Sequence, residues 1–140
     1  NHHCFAVTNE QQAMDQQKKN KQFILEYITA MSGRVKTREI LEKYNADAGL
    51  IGNILLKEEI FPQYEVVIQE MIAEGDRVVV LAKFKGIHKG EWLGMKPTHK
   101  EVSYNFAVGY EVRDRKIVNS WLVADNLALV DQLKGRVPKT

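Results

Sequence analysis

Val102-Ser103-Tyr104-Asn105-Phe106-Ala107-Val108-Gly109-Tyr110-Glu111-Val112 alternates large apolar residues with small or polar ones, and a period of two marks a strand with one buried face. Asp114 and Arg115 supply a tight polar turn, after which Lys116 to Asp125 returns as a second strand with Ile117, Trp121 and Val123 in alternating register. Two such runs about a short turn predict a hairpin. With a two-residue loop, Tyr110 faces Asn119, Val108 faces Trp121, Phe106 faces Val123 and Tyr104 faces Asp125. These side chains then share one face, apolar except for Asn119 and Asp125; a loop one residue longer would reverse the pairing. Behind them Ser103, Asn105, Ala107 and Gly109 lie against Leu122, Ser120 and Val118. Small residues with a few aliphatics suit a flat contact, so a homodimer through the outer sheet face is expected.

Outward from the hairpin, Tyr64 to Glu74 and Arg77 to Gly86 are predicted strands joined at Gly75-Asp76, with Val67, Met71 and Ala73 opposite Phe84, Val80 and Val78. The Gly86 to Gly94 segment reads as a bent or bulged strand, and Met95 to Thr98 as a loop. Before Pro62 the chain is helical. Phe23, Ile24, Tyr27, Ile28 and Met31 form one face of a helix from about Asn9 to Met31, ended by Gly33. Thr37 caps a short helix carrying Ile40, Leu41 and Tyr44, and Asp47 a third running to about Phe61, with Leu50, Ile51, Ile54, Leu55 and Ile60 inward. Asn126 to Leu133 closes the chain as a short helix. Helices followed by antiparallel strands, without βαβ alternation, predict an α+β fold: N-terminal helices packed on one face of a curled antiparallel sheet, with a cavity at its wide end.

The totals exclude several classes. With 140 residues, one domain spanning 1–140 is expected, its core about 20–134 and 1–12 a poorly packed N-terminal extension. A hydrophobic fraction of 44%, a charged fraction of 27% and a net charge of +2 with both signs interspersed leave no basic patch for nucleic acid. No apolar run approaches the roughly 20 residues of a membrane span, and the start lacks a signal peptide's apolar stretch. A lone Cys4 allows no internal disulfide, so a cytoplasmic setting is expected. His2, His3 and Cys4 have no second His/Cys pair to complete a four-ligand site, and His88 and His99 are isolated. No metal and no organic cofactor is therefore expected.

Phe61-Pro62, Ala73-Glu74-Gly75-Asp76-Arg77-Val78, Gly86-Ile87-His88-Lys89-Gly90-Glu91-Trp92-Leu93-Gly94-Met95, Pro97-Thr98, Lys116-Ile117-Val118, Trp121 and Asp125 together resemble, in order and spacing, the SnoaL-like polyketide cyclases of the nuclear transport factor 2-like (cystatin-like) superfamily. The resemblance spans roughly residues 20 to 134. It implies three N-terminal helices over a strongly curved antiparallel sheet that forms a cone with an internal apolar pocket, frequent dimerisation and, in the polyketide members, an aldol closure in which an acidic residue removes a proton beside a carbonyl. That residue falls on Asp125. Asp114-Arg115 departs from the family's usual Asp-Gly, His99 from a glycine often found after Pro-Thr, and Asn119-Ser120 from a frequent Glu-His.

Proton abstraction from carbon requires a carboxylate in an apolar site, because desolvation raises its basicity. Asp125 opposite Tyr104 and one step from Trp121 would meet that requirement; as the residue before Asn126-Leu127-Ala128 it is equally a favoured helix N-cap. An enolate also needs a donor, and Tyr104, Tyr110, Asn119, His88 or Tyr27 could serve. His88 otherwise reads as a structural histidine at the sheet bend. Phe106, Trp121 and Trp92 complete the expected pocket wall, Trp92 being explained as well by packing or a dimer contact. The expectation is a cyclase- or isomerase-type enzyme acting on a small, mostly apolar carbonyl compound, with a non-catalytic binding or dimerisation module as the alternative.

Overall fold

The structure, a computed structural model, describes residues 2–136, with side chains from residue 9 onward. Four helices accompany one antiparallel sheet: α1 (His2–Met31), α2 (Arg38–Tyr44), α3 (Ala48–Ile60), β1 (Glu65–Glu74), β2 (Arg77–Ile87), β3 (Glu101–Arg113), β4 (Lys116–Ala124) and α4 (Asn126–Leu133). The strands form a meander, β1-β2-β3-β4. The fold is the expected α+β arrangement of helices on a curled open sheet. α1 begins at His2 rather than near Asn9, and the reading of His2, His3 and Cys4 as non-ligands concerns side chains outside the described residues.

Local chemistry sets the boundaries. Thr37 accepts from the Ile40 amide at the start of α2 and Asp47 from the Gly49 amide at the start of α3, satisfying donors that a first helical turn leaves free. Gly33, at φ +72°, ends α1 and donates its amide to the Tyr64 carbonyl. α1 lays Phe23, Ile24, Tyr27, Ile28 and Met31 on Val78, Val80, Val108, Tyr110 and Val112 of the sheet. A second apolar cluster gathers Ile60, Phe61, Tyr64, Phe84, Val102 and Tyr104 beneath Leu129 and Leu133 of α4. The two clusters hold opposite ends of the sheet against helices.

Two bulges correct the predicted registers. In β1 the pairing skips at Gln69, so Met71 and Ala73 face Val80 and Val78 as expected, but Val66 rather than Val67 faces Phe84. In β4 the turn does hold two residues, Asp114 and Arg115, both at positive φ. Yet Glu111 pairs with Asn119 and Val112 with Ile117, leaving Val118 as an extra residue. From there Tyr110 faces Ser120, Val108 faces Leu122 and Phe106 faces Ala124. Parity is inverted beyond the bulge, because one inserted residue moves every later side chain to the other face. Asn119, Trp121 and Val123 therefore lie on the outer face, and Ser120 and Leu122, expected behind the sheet, lie on the inner one.

The expected bent strand from Gly86 to Gly94 is also corrected. β2 stops at Ile87, and the following loop docks on α3, the amides of Lys89 and Gly90 both donating to the Ile60 carbonyl. A Cβ on Gly90 would stand 2.4 Å from the Glu59 carbonyl oxygen, whereas one on Gly52 in α3 meets nothing within 4 Å. Gly90→Ala is expected to lower unfolding free energy by about 1–3 kcal/mol through this overpacking, and Gly52→Ala to raise it by up to about 1 kcal/mol through helix propensity. Urea denaturation of both variants checks the pair; equal effects would refute the backbone contact.

Candidate functional site

Helices α1 and α3 and the inner face of the sheet enclose a cavity of about 450 Å³, a size in keeping with small-molecule sites. Tyr27, Ile28 and Met31 of α1 form one wall, and Val66, Phe84, Phe106, Val108 and Tyr110 the floor. Ser120 and Leu122 of β4 reach it because of the bulge. The third wall is α3, where Leu50, Asn53, Ile54 and Lys57 follow the i, i+3, i+4, i+7 spacing of one helical face. A smaller cavity of about 270 Å³ adjoins it and shares Asn53, Lys57 and Leu122; Tyr104, Trp92, Ala124 and Leu129 complete that chamber.

The polar groups of the main cavity are mostly donors. Asn45 donates its side-chain amide to the Tyr27 hydroxyl at 3.4 Å, and burial, partly offset by that bond, pushes the Tyr27 phenol up to about 12. Burial likewise raises Tyr64, Tyr104 and Tyr110 far above the ordinary phenol range. All four stay protonated at physiological pH and are available as hydrogen-bond donors rather than as bases.

Two lysines line the same cavity in opposite circumstances. The Lys36 side chain is fully buried; its ammonium donates to the carbonyls of Tyr64 (2.6 Å) and Arg34 (2.8 Å), pairs with Glu58 at 3.5 Å, and sits 3.8 Å above the Tyr64 ring centroid. Burial lowers its pKa, and the charge of Glu58 opposes that shift. Glu58 is itself engaged, accepting the Gln63 amide at 2.8 Å. Lys57 lies 5.1 Å from the Phe84 ring centroid and 5.9 Å from that of Tyr64. Burial holds its ammonium below the usual lysine range.

The expected site residues are divided. Tyr27, Tyr110 and Phe106 line the main cavity, and Tyr104 and Trp92 the smaller one. Asn119 and Trp121 do not belong: both are on the outer face, where the indole crosses Gly109 beneath the Arg77 guanidinium. Asp125 is exposed and accepts the Ala128 amide at 3.0 Å as the N-cap of α4; the pairing with Tyr104 does not form, which removes the ground for a base there. His88 is fully buried and lines neither cavity. Its Nδ1 faces the Thr98 amide at 3.2 Å and the Thr98 hydroxyl at 3.1 Å, and its Nε2 is a buried atom without a partner among the described residues. Asn53, Lys57, Lys36 and Ser120 were missed. The signal for the first two was present, since polar residues at i+3 and i+7 of the stripe begun by Leu50 must face what the stripe faces. Among the described residues no three His, Cys, Asp or Glu side chains converge on a metal position, and no helix is long and apolar enough to cross a membrane.

A family model described as SnoaL-like polyketide cyclase matches residues 55–133. No curated protein matches the chain significantly. Among solved structures, AclR of Streptomyces galilaeus, described as a candidate hydroxylase, is 21% identical with a TM-score of 0.74 over 89% of this chain and 85% of its own. A candidate polyketide cyclase from Acidithiobacillus ferrooxidans is 21% identical with a TM-score of 0.74 over 85% and 96%. IdmH of Streptomyces antibioticus, another candidate polyketide cyclase, is 22% identical with a TM-score of 0.68 over 82% and 98%. At these identities the likeness is one of fold.

A capping carboxylate predicts its own mutational signature. Asp125→Ala is expected to cost about 1 kcal/mol of stability and Asp125→Asn only a few tenths, because asparagine caps nearly as well. Thermal or urea unfolding of the two variants measures the difference; a loss in Asp125→Asn as large as in Asp125→Ala would argue against the cap.

Proposed function

The chain belongs to the SnoaL-like polyketide cyclase family, and we propose that its cavity takes a small, mostly apolar carbonyl compound and promotes cyclase- or isomerase-type acid/base chemistry on it. The carrying observation is an apolar chamber whose polar wall groups are hydroxyls, an amide and two amines, with no carboxylate among its lining residues. Such a set complements an acceptor oxygen, and more strongly an enolate oxygen as its charge develops. Protonated Tyr27 and Tyr110 would stabilise that oxygen without competing to remove the proton. A non-catalytic binding module is the second reading, favoured by the position of Asp125 in the α4 cap, outside the cavity.

The chemistry and the binding separate in one experiment. Apolar aryl ketones are screened by thermal shift, and exchange of the hydrogens beside the carbonyl is followed by NMR in deuterated water. Saturable binding with protein-dependent exchange is expected. Leu122→Trp, which fills the wall common to both chambers, is expected to weaken binding roughly tenfold or more, about 1.4 kcal/mol. Asp125→Asn is expected to leave exchange unchanged. Binding without exchange would select the binding module.

The outer sheet face supports a homodimer as a further part of this reading. Two adjacent rows of cross-strand neighbours cross it: Ile72-Val79-Gly109-Trp121 is apolar throughout, and Leu81-Ala107-Val123 is apolar over β2 to β4 and ends on Glu70 of β1. Ile72 is 52% and Val123 74% exposed, and Glu74, Arg77 and Glu111 border the pair of rows on one side, Lys83 and Asn105 on the other. An apolar centre with a polar rim is the anatomy of a protein interface. Elution as a dimer at micromolar concentration is expected, and Leu81→Glu should convert it to monomer; a monomeric wild type would refute the interface.

A further inference from the structure

We infer that Lys57 is a nucleophilic amine that forms a reversible imine with an aldehyde or ketone held in the cavity, an inference that rests on the carbonyl-compound reading above. Its place in the fold is the first reason. The side chain leaves α3 on the stripe of Leu50, Asn53 and Ile54 and lines both the 450 Å³ and the 270 Å³ chambers. A carbonyl carbon in either chamber has this amine in its wall. Phe84 and Tyr64 lie on its inner side at 5.1 and 5.9 Å, so the head group rests over rings.

The second reason is what the amine lacks. Lys36, in the same cavity, is held by Glu58 and two backbone carbonyls, a set that occupies its N–H groups and opposes part of the burial that lowers its pKa as well. Lys57 has no hydrogen-bond acceptor and no carboxylate within ion-pair distance among the described residues, and its Nζ is not among the sealed polar atoms. An ammonium in that position has only the two ring faces and solvent to compensate it. Burial accordingly lowers its pKa, and each unit of lowering multiplies the free-amine fraction at neutral pH about tenfold. Desolvation in an apolar pocket is a recognised way of activating lysine toward carbonyls.

The step balances without an oxidant or reductant. The Lys57 nitrogen lone pair attacks the carbonyl carbon, the carbonyl π electrons pass to oxygen, and that oxygen takes a proton from water. The resulting carbinolamine loses a proton from nitrogen to solvent. Its hydroxyl takes a proton from solvent and leaves as water while the nitrogen lone pair closes the carbon–nitrogen double bond, and the iminium so formed releases its remaining N–H proton to solvent. Amine and carbonyl compound give imine and water. Once protonated, the imine draws electrons from the adjacent carbon, providing the activation that a carbonyl oxygen would otherwise receive from donors alone.

Benzaldehyde and cyanoborohydride, which reduces an imine to a stable benzylamine, test this on the whole wild-type chain. Peptide mapping is expected to place the benzyl group on Lys57 several-fold faster than on any other lysine, Lys36 included. Excess naphthalene, which competes for the cavity but has no carbonyl, should suppress that site selectively. Lys57→Met is expected to lose the selective adduct while still giving a naphthalene thermal shift. Adducts spread evenly over surface lysines, or found on Lys36, would overturn the imine; if benzaldehyde and naphthalene still stabilise the protein saturably, the pocket reading survives that result. Absence of any saturable shift with either compound would overturn both.

Discussion

One extra residue in β4 decides what the cavity is made of. Val112 and Ile117 must both point inward, since Ile117 is fully buried in the main core and its strand edge is tied to the α2–α3 connection by the Ala46 amide on the Ile117 carbonyl. From that fixed point uninterrupted alternation would bring Asn119, Trp121 and Val123 inward. The bulge at Val118 sends them out instead and presents Ser120, Leu122 and Ala124. An indole over Val108 would fill space that Leu122 leaves open. On the outside Trp121 finds its own room across Gly109, where a Cβ would stand 3.1 Å from the ring. The chamber and the apolar outer rows are thus two consequences of the same backbone irregularity.

The cavity's electrostatics follow from how its two cations are compensated. Removing a charge from water is costly unless partners replace the lost solvation. Lys36 meets that requirement with an ion pair and two carbonyls, and in doing so ties the α1–α2 connection to α3 and to Tyr64, just ahead of β1. Its N–H groups are spent on structural bonds. Lys57, one residue from Glu58 along α3, points at the chamber while Glu58 turns toward Lys36 and the Gln63 amide. Helical geometry separates the neighbours, since adjacent positions diverge by about 100° around the axis. The acid that could have neutralised Lys57 is therefore committed elsewhere.

Much of this was legible in the sequence, and the failures have a common cause. Period and punctuation located every helix after α1 and every strand to within a few residues, because Thr37, Asp47, Gly33, Pro62 and the Gly75-Asp76 turn act locally. The registers were legible only as far as the bulges. Val118 carries no glycine or proline to announce an extra residue; what selects it is the tertiary demand that Ile117 be buried against α2. Asp125 was read correctly in one of its two senses, since the cap depends on the three residues after it. The opposed pairing with Tyr104 depended on the whole length of β4. Asn53 and Lys57 were readable from their spacing, yet a search for acids and imidazoles passes over a lysine in an apolar stripe.

Members of one fold differ in chemistry through a few wall positions, because the sheet and helices fix directions while side chains fix reactivity. The likeness in fold to both a candidate hydroxylase and candidate cyclases is consistent with that separation. Among the described residues no carboxylate lines this chamber, whose polar positions hold phenols kept protonated by burial, an amide, a serine hydroxyl and two lysines, one of them without an acceptor or carboxylate partner. Donors and an amine favour the accumulation of negative charge on a bound molecule, or its covalent capture through a carbonyl carbon. A carboxylate placed among them would be drawn to Lys57 and would quench both properties. The absence of an acid from the cavity wall is thus the condition under which its amine can react.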